Sequence, residues 1–502
     1  MFITASTLYD YIQCPHRVWR DRYGPQDERI KENLFVELLW SKGIQHEKNI
    51  ITKIGVFVDI SEGTLDERFE KTISEMKKGT DLIHQGVLKY NNLLGIPDLL
   101  KKLRDNSYIP IDIKSGKGFE ETSDGTGLEG KPKKHYAVQL CLYVDLLKIL
   151  GFAKENKACV IDISGSEVEY LLDQPQGKNT PFSWWDLYEK VKDEVTLLIE
   201  NKKQNKPAFG GICKLCHWYT SCRKWCETTK DLTNIFYLGR SKRDTINNDL
   251  KIESIDQFAN INIENISSQK KSNKNFLKGI GLPTLVKLLN RANIIIITKK
   301  PVIYESIKLP KVQTELFLDI EDDPTQNFVY LHGVYIRNKR EEKFIPFLAK
   351  ENTREEEKDI FKCFWDYIHS LPQNDYAVYY YATHEKTINK KLQKLYPDII
   401  SESEIEQFFE NANVIDLYSD IICNKTDWPL SSYSLKDLAS FLGFKWRDET
   451  PSGALSIQWY NEYLETKNKN ILTRILEYNE DDCKATMLLK DEIEKLSGGV
   501  KY

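Results

Sequence analysis

Asp112 and Lys114 stand two apart in "YIPIDIKSGKG" (108–118), at the end of an apolar run. On a strand that spacing sends both side chains off one face. Asp98, in "LLGIPDLL" (93–100), lies at the mouth of the preceding strand of the same expected hairpin. Two carboxylates with a lysine on adjacent strands offer a divalent-metal site: the carboxylates hold Mg2+ or Mn2+, and the ion polarises a phosphate and activates water. The lysine can stabilise the charge that develops. A surface ion pair gives the same D-x-K spacing, so the neighbours matter. His46, after a helical stretch, could add an imidazole ligand, and Gln139 and Tyr143 lie four apart on one helix face. Taken singly, these are also a helix-end histidine and the polar edge of an amphipathic helix.

A second group gathers near the C-terminus. Asp319 and Glu321 share one face at the end of the alternating strand in "ELFLDIEDDP" (315–324). Glu385 falls at a strand–helix junction in "YAVYYYATHEKTINKKL" (376–392), and "EYNEDDC" (477–483) sets Tyr478 and Asp482 one helical turn apart. Acids from a strand, a junction and a late helix suit two-ion phosphodiester cleavage, with the tyrosine positioning the attacking water. Asp416, in "VIDLYSD", is the alternative to Glu385; otherwise it is a structural acid at a strand end.

A third group is cysteine. "CKLCHWYTSC" (213–222) has C-x2-C-x5-C spacing, and a thiolate-held metal usually wants four ligands. From spacing alone a zinc ribbon, a disulfide knot and an iron–sulfur cluster all remain open.

The elements that must position these groups belong to a chain of 502 residues, 41% hydrophobic and 29% charged, with a net charge of −4. That composition is of the soluble globular kind and is not globally basic, so nucleic acid would meet local patches such as Lys131, Lys133 and Lys134 or "KKSNKNFLK" (270–278). No apolar run approaches the ~20 residues of a membrane span. The opening Met-Phe-Ile-Thr-Ala-Ser carries no basic stretch ahead of an apolar one, so a reducing cytoplasm is expected, with the cysteines as thiols or metal ligands. "GTGLEGK" (125–131) fits a phosphate loop in part, but Pro132 stands where the magnesium-binding hydroxyl is needed, so no ATP motor is expected.

Three blocks follow: a mixed α/β region over 1–228, a small helical region over 229–310, and a second α/β region over 311–502. In the middle, Gly279 and Gly281 form a G-I-G turn between helical patterns, of the helix-hairpin-helix kind that offers backbone amides to a phosphate.

His46, Gly95-Ile-Pro-Asp98, Asp112-Ile-Lys114 and the Gln139–Tyr143 spacing together resemble the PD-(D/E)xK nucleases, in the RecB-like branch that includes the CRISPR-associated exonucleases. The resemblance implies a restriction-endonuclease-like α/β core with His46, Asp98 and Asp112 on the metal and Lys114, Gln139 and Tyr143 in catalysis. It also implies a fourth thiolate: Cys14 joining Cys213, Cys216 and Cys222 around a structural [4Fe–4S] cluster, with zinc still compatible with four thiolates. Cys226 has no assigned role. The C-terminal block resembles the DEDD exonucleases of the RNase H-like fold, in their tyrosine-bearing form, which implies Asp319, Glu321, Glu385 and Asp482 as metal ligands and Tyr478 as the water-positioning residue. Glu385 departs from the aspartate that pattern carries.

The whole order resembles bacterial RecB-like nucleases fused to an RNase H-like domain. The expected function is metal-dependent hydrolysis of DNA, single-stranded or end-exposed, at two centres, with a helicase as a separate partner. The rival readings are an RNA-directed exonuclease whose first domain only binds, and a non-catalytic nucleic-acid scaffold.

Overall fold

The computed structural model describes residues 2–31, 34–120, 130–177, 180–372 and 375–498. Residues 125–129 of the G-x4-G-K stretch lie outside the described residues. Contacts divide the chain into two compact units, Met1–Pro207 with Gly211–Arg223, and Ala208–Gly210 with Lys224–Tyr502. The helical region over 229–310 falls within the second unit. Among the described residues no helix is long and apolar enough to cross a membrane.

The first unit is built on a six-stranded mixed sheet. Its centre is the expected hairpin, Leu99–Lys102 against Tyr108–Ile113, with Leu99 opposite Ile111. Tyr108–Ile113 then pairs in parallel with Lys157–Ile161, and the connection carries the helix Lys134–Ile149. All six residues of Tyr108–Ile113 are buried because both faces of the sheet are covered. Ile109, Ile111 and Ile113 pack with Ile50, Ile51 and Ile54, at the end of the helix Leu34–Ile51 and just beyond it. Asp112 and Lys114 leave the opposite face by the two-residue period.

The second unit holds a five-stranded sheet. In spatial order its strands are Glu342–Leu348, Phe328–Asn338, Thr314–Asp323, Tyr376–Tyr380 and Val414–Asp416. The first three are antiparallel, and the last two run parallel to Thr314–Asp323. The pleat sorts Thr314–Asp323 cleanly. Leu316, Leu318 and Ile320 enter one core with Phe361 and Phe364 of the helix Arg354–Ser370, whereas Phe317 enters the other with Cys483 and Leu489 of the helix Lys469–Gly498. Asp319 and Glu321 follow Phe317 in phase and so turn towards that long helix.

The short helices Gly239–Leu250, Ile255–Ala259, Ile263–Ser272 and Leu282–Asn293 enclose a cluster of their own, including Leu238, Ile246, Phe258, Leu285 and Leu288. A buried ion pair fastens them to the sheet domain: Arg291 Nε donates to Asp427 Oδ1 at 2.6 Å and Nη1 to the Phe236 carbonyl at 2.8 Å. Gly279 takes φ +83°, and Gly281 caps the helix Leu282–Asn293, so the G-I-G turn does lie between two helices.

His332, on Phe328–Asn338, is 1% exposed and stacks on Phe364 at 5.0 Å. Neither ring nitrogen has a hydrogen-bond partner among the described residues, and burial pulls the imidazole down to about 3. The fold keeps this ring neutral, whereas the unfolded chain protonates it near pH 6.5, so stability is lost as pH falls from there towards 3. Between pH 7 and pH 5 the native protein should lose about 2 kcal/mol more than a His332→Phe variant, read from urea midpoints.

Candidate functional site

In the second unit Asp319, Glu321 and Asp482 each present a carboxylate oxygen, and these atoms lie within 4.8 Å of one another. Two of them come from the strand face that turns towards the long helix, and the third from that helix. Glu321 accepts from the Tyr330 hydroxyl at 3.2 Å, and Tyr330 meets Ser456 Oγ at 2.8 Å. Asp482 accepts from Trp446 Nε1 at 2.7 Å, and Asp319 Oδ2 from Asn479 Nδ2 at 2.5 Å. Tyr478, one turn before Asp482, hydrogen-bonds to it and accepts from Lys436 Nζ at 2.6 Å.

Burial, then the charges of Asp482, Glu321 and Glu385, push the Asp319 carboxyl well above the usual range. Glu321 is pushed to about 8, by burial first and Asp482 next. Glu385, in the first turn of the helix His384–Leu395, is 3% exposed with Oε2 unpartnered, and burial above all lifts it to about 8. Its charge also acts on Asp319. This donor set is all oxygen, mostly buried and, among the described residues, with no lysine or arginine ion-paired to it, which fits a hard divalent cation. Asp319, Glu321 and Asp482 could hold one directly, with Glu385 beside them.

Asp416 is employed otherwise. Its Oδ1 accepts from the backbone amides of Ala382 at 2.9 Å, Tyr418 at 2.9 Å and Ser419 at 3.1 Å. Ala382 has φ +77°, a left-handed conformation that costs an alanine energy. Asp416 therefore pins the strained turn that leads into Glu385.

In the first unit Lys114 Nζ lies 2.8 Å from Asp112 Oδ2, and Asp98 Oδ2 accepts from the Ile113 amide at 2.6 Å. Burial, then Asp112, raises Asp98 to about 8, while Lys114 pulls it back. Tyr143 feels both acids, and Gln139 is buried with Oε1 unpartnered. His46 is not at the end of its helix as expected but inside Leu34–Ile51, and its Nε2 lies 3.2 Å from the Asp162 carbonyl. The next residue, Glu47, faces Asp98 instead: Gln85 Nε2 donates to Glu47 Oε1 and to Asp98 Oδ1, each at 3.2 Å. Among the described residues, no three acids or histidines of this unit form a ligand group like that of the second.

The four expected cysteines share one neighbourhood. Cys14 sits between the helices Ala5–Gln13 and Pro15–Tyr23, Cys213 and Cys216 bracket a turn joined by a 3.0 Å backbone hydrogen bond, and Cys222 is on the helix Tyr219–Thr228. Asp21 ties the second helix to the cysteine loop, accepting from Trp218 Nε1 at 2.7 Å and meeting His217 Nε2 at 2.6 Å. Burial, then Cys14, Cys216 and Cys213, push the Cys222 thiol up to about 12. Four cysteine sulfurs in one neighbourhood form a donor set that a thiophilic metal centre would fit.

Sequence reasoning missed Lys436, Asn479, Glu47 and Asp21. Asn479 lies between two residues that it did name, and Glu47 is adjacent to His46; Lys436 and Asp21 carry no local signal.

Residues 316–494 match the family model of the RNase_H superfamily. No curated protein and no solved structure matches the chain. The second unit thus carries an RNase H-like domain, of a superfamily whose members are in general metal-dependent nucleases.

Repulsion among the acids should be measurable in the metal-free protein. Asp319→Asn replaces an acid that the site pushes towards protonation and keeps an oxygen for Asn479, so without divalent ions the variant should be more stable by about 1–2 kcal/mol, read as a higher melting temperature. Added Mn2+ should stabilise the native protein and not the variant.

Proposed function

We propose that this protein is a divalent-metal-dependent nuclease that hydrolyses the phosphodiester bonds of DNA, single-stranded or end-exposed. The observation that carries the reading is the cluster of three carboxylate oxygens within 4.8 Å, two of them on buried residues, with Asp319 and Glu321 lifted towards protonation by desolvation first and by neighbouring acids next. Asp319, Glu321 and Asp482, with Glu385, would hold Mg2+ or Mn2+, which supplies charge neutralisation and an activated water. Tyr478, held by Lys436 on one side and by Asp482 on the other, is placed to align that water with the phosphorus. Its oxygen bonds to phosphorus as the bond to the leaving sugar oxygen breaks.

In this reading the first unit is a second centre. Asp98 and Asp112 bind metal, with Glu47 rather than His46 beside them, Lys114 stabilises charge on the phosphate, and Gln139 and Tyr143 line the site. Cys14, Cys213, Cys216 and Cys222 hold a structural [4Fe–4S] cluster, and the Gly279–Gly281 turn guides the backbone of the strand. One observation favours a narrower reading, in which the RNase H-like centre alone cleaves and its substrate is RNA: the ligand group within coordinating range belongs to the second unit.

End-labelled single-stranded DNA and RNA, incubated with Mn2+ or Mg2+, decide between them. Asp482→Ala and Asp112→Ala should each remove part of the DNA cleavage, and the double variant should lose at least about a thousandfold. Loss on Asp482→Ala alone, with RNA preferred, establishes the narrower reading; no cleavage by the native protein sinks both.

The thiolate centre has its own check. Protein purified without oxygen should carry about four irons and four sulfides per chain, and Cys222→Ser should lose them and lower the first unit's melting temperature. Stoichiometric zinc in their place would overturn the cluster.

A further inference from the structure

Gly333 stands directly opposite Asp319 in the antiparallel ladder, in the interior of a buried strand where glycine weakens a sheet. Its backbone is extended, so conformational freedom is not the reason for it. Space is the reason. A Cβ at this position would lie 1.6 Å from Asn479 Oδ1 and 2.8 Å from its Cγ. The glycine therefore opens the slot through which Asn479, fully buried on the long helix, reaches the strand.

Within that slot Nδ2 donates to Asp319 Oδ2 at 2.5 Å and lies 3.3 Å from the Asp319 carbonyl. Among the described residues Oδ1 has no conventional partner, and it lies against the α-carbon of Gly333, a weak C–H donor. A buried amide whose oxygen goes unmatched is costly. The hydrogen bond to Asp319 is what the arrangement obtains for that cost. It holds one carboxylate oxygen of Asp319 and so restrains the side-chain torsions that aim the group.

We infer that Asn479, seated in the slot that Gly333 leaves, is a positioning residue that sets the orientation of the Asp319 carboxylate for metal binding. This rests on the reading of Asp319, Glu321 and Asp482 as metal ligands. Asn479 acts through Asp319, as the outer partners of metal ligands do, whose removal commonly weakens metal affinity 10–100-fold.

The test is Mn2+ binding to full-length protein without substrate, by calorimetry, in an Asp112→Ala background that silences the first unit. Thermal melts of the metal-free proteins run alongside. Asn479→Ala should raise the Mn2+ dissociation constant at least tenfold. Gly333→Ala alone should clash, and it should either do the same or fold poorly. The double variant Gly333→Ala/Asn479→Ala separates packing from positioning, because the new methyl fills the space that Oδ1 vacates. Its melting temperature should recover towards the native value while Mn2+ binding stays weak. If the double variant recovers Mn2+ affinity as well, or if Asn479→Ala binds within twofold of the native protein, Asn479 is only filler and the inference falls. If the background protein with Asn479 and Gly333 intact binds no Mn2+ at all, the ligand assignment itself fails and takes this inference with it.

Discussion

Mutual repulsion of buried carboxylates is the constraint around which the second unit is organised. At an effective dielectric of about 20, two unit charges within 4.8 Å of each other repel by about 3 kcal/mol or more. Asp319, Glu321 and Asp482 make three such pairs, and Glu385 adds to them. Left to relax, the strand and the long helix that carry them would separate at this point. The metal-free protein instead lets the acids drift towards protonation and engages their oxygens with Asn479, Tyr330 and Trp446.

What keeps strand and helix together is found at the other end of the same pair of elements. Arg337, on the neighbouring strand, donates to Glu315 at 2.8 Å and in two parallel bonds to Asp491 at 2.7 Å each. Lys490 meets Glu315 at 2.7 Å while its side chain is 6% exposed. Eight residues of helix separate Lys490 from Asp482, a span of about 12 Å. Attraction is thus concentrated a little over two turns beyond the point where repulsion is concentrated, and the apolar contacts of Phe317, Cys483 and Leu489 join the two regions. The pocket can stay under electrostatic strain because its supports do not depend on it.

The pleat and the helical turn made most of this arrangement legible in advance. Asp319 and Glu321 on one face, Tyr478 and Asp482 one turn apart and Glu385 at a junction are consequences of periods of two and about 3.6 residues, which the chain displays directly. The Asp98–Asp112–Lys114 hairpin was legible for the same reason. His46 was not, because its expected place at a helix end assumed a boundary, and the helix runs five residues further, to Ile51. Asp416 was undecidable from its strand-end position; only the three amides converging on its Oδ1 show what it is occupied with. Lys436 lies 42 residues from Tyr478, and Asn479 lies 160 residues from Asp319. No local period carries contacts of that range.

The two acid sites also differ in how their charge is balanced, and the difference bears on how each would meet a cation. In the first unit a lysine is built in: Lys114 is drawn against Asp112 and Asp98, whose charges outweigh the effect of its burial, and the Gln85 amide bridges Asp98 to Glu47. A cation entering there must displace or share these donors, and its ligands must draw together. In the second unit the one nearby lysine is spent on a neutral tyrosine: Lys436 donates to Tyr478, and only its field reaches the acids. Three oxygens already stand within coordinating range, with no ammonium among them. On electrostatic grounds the RNase H-like site is the one prepared for a divalent ion before substrate arrives. The first site, with Lys114 against Asp112, is nearer to neutral.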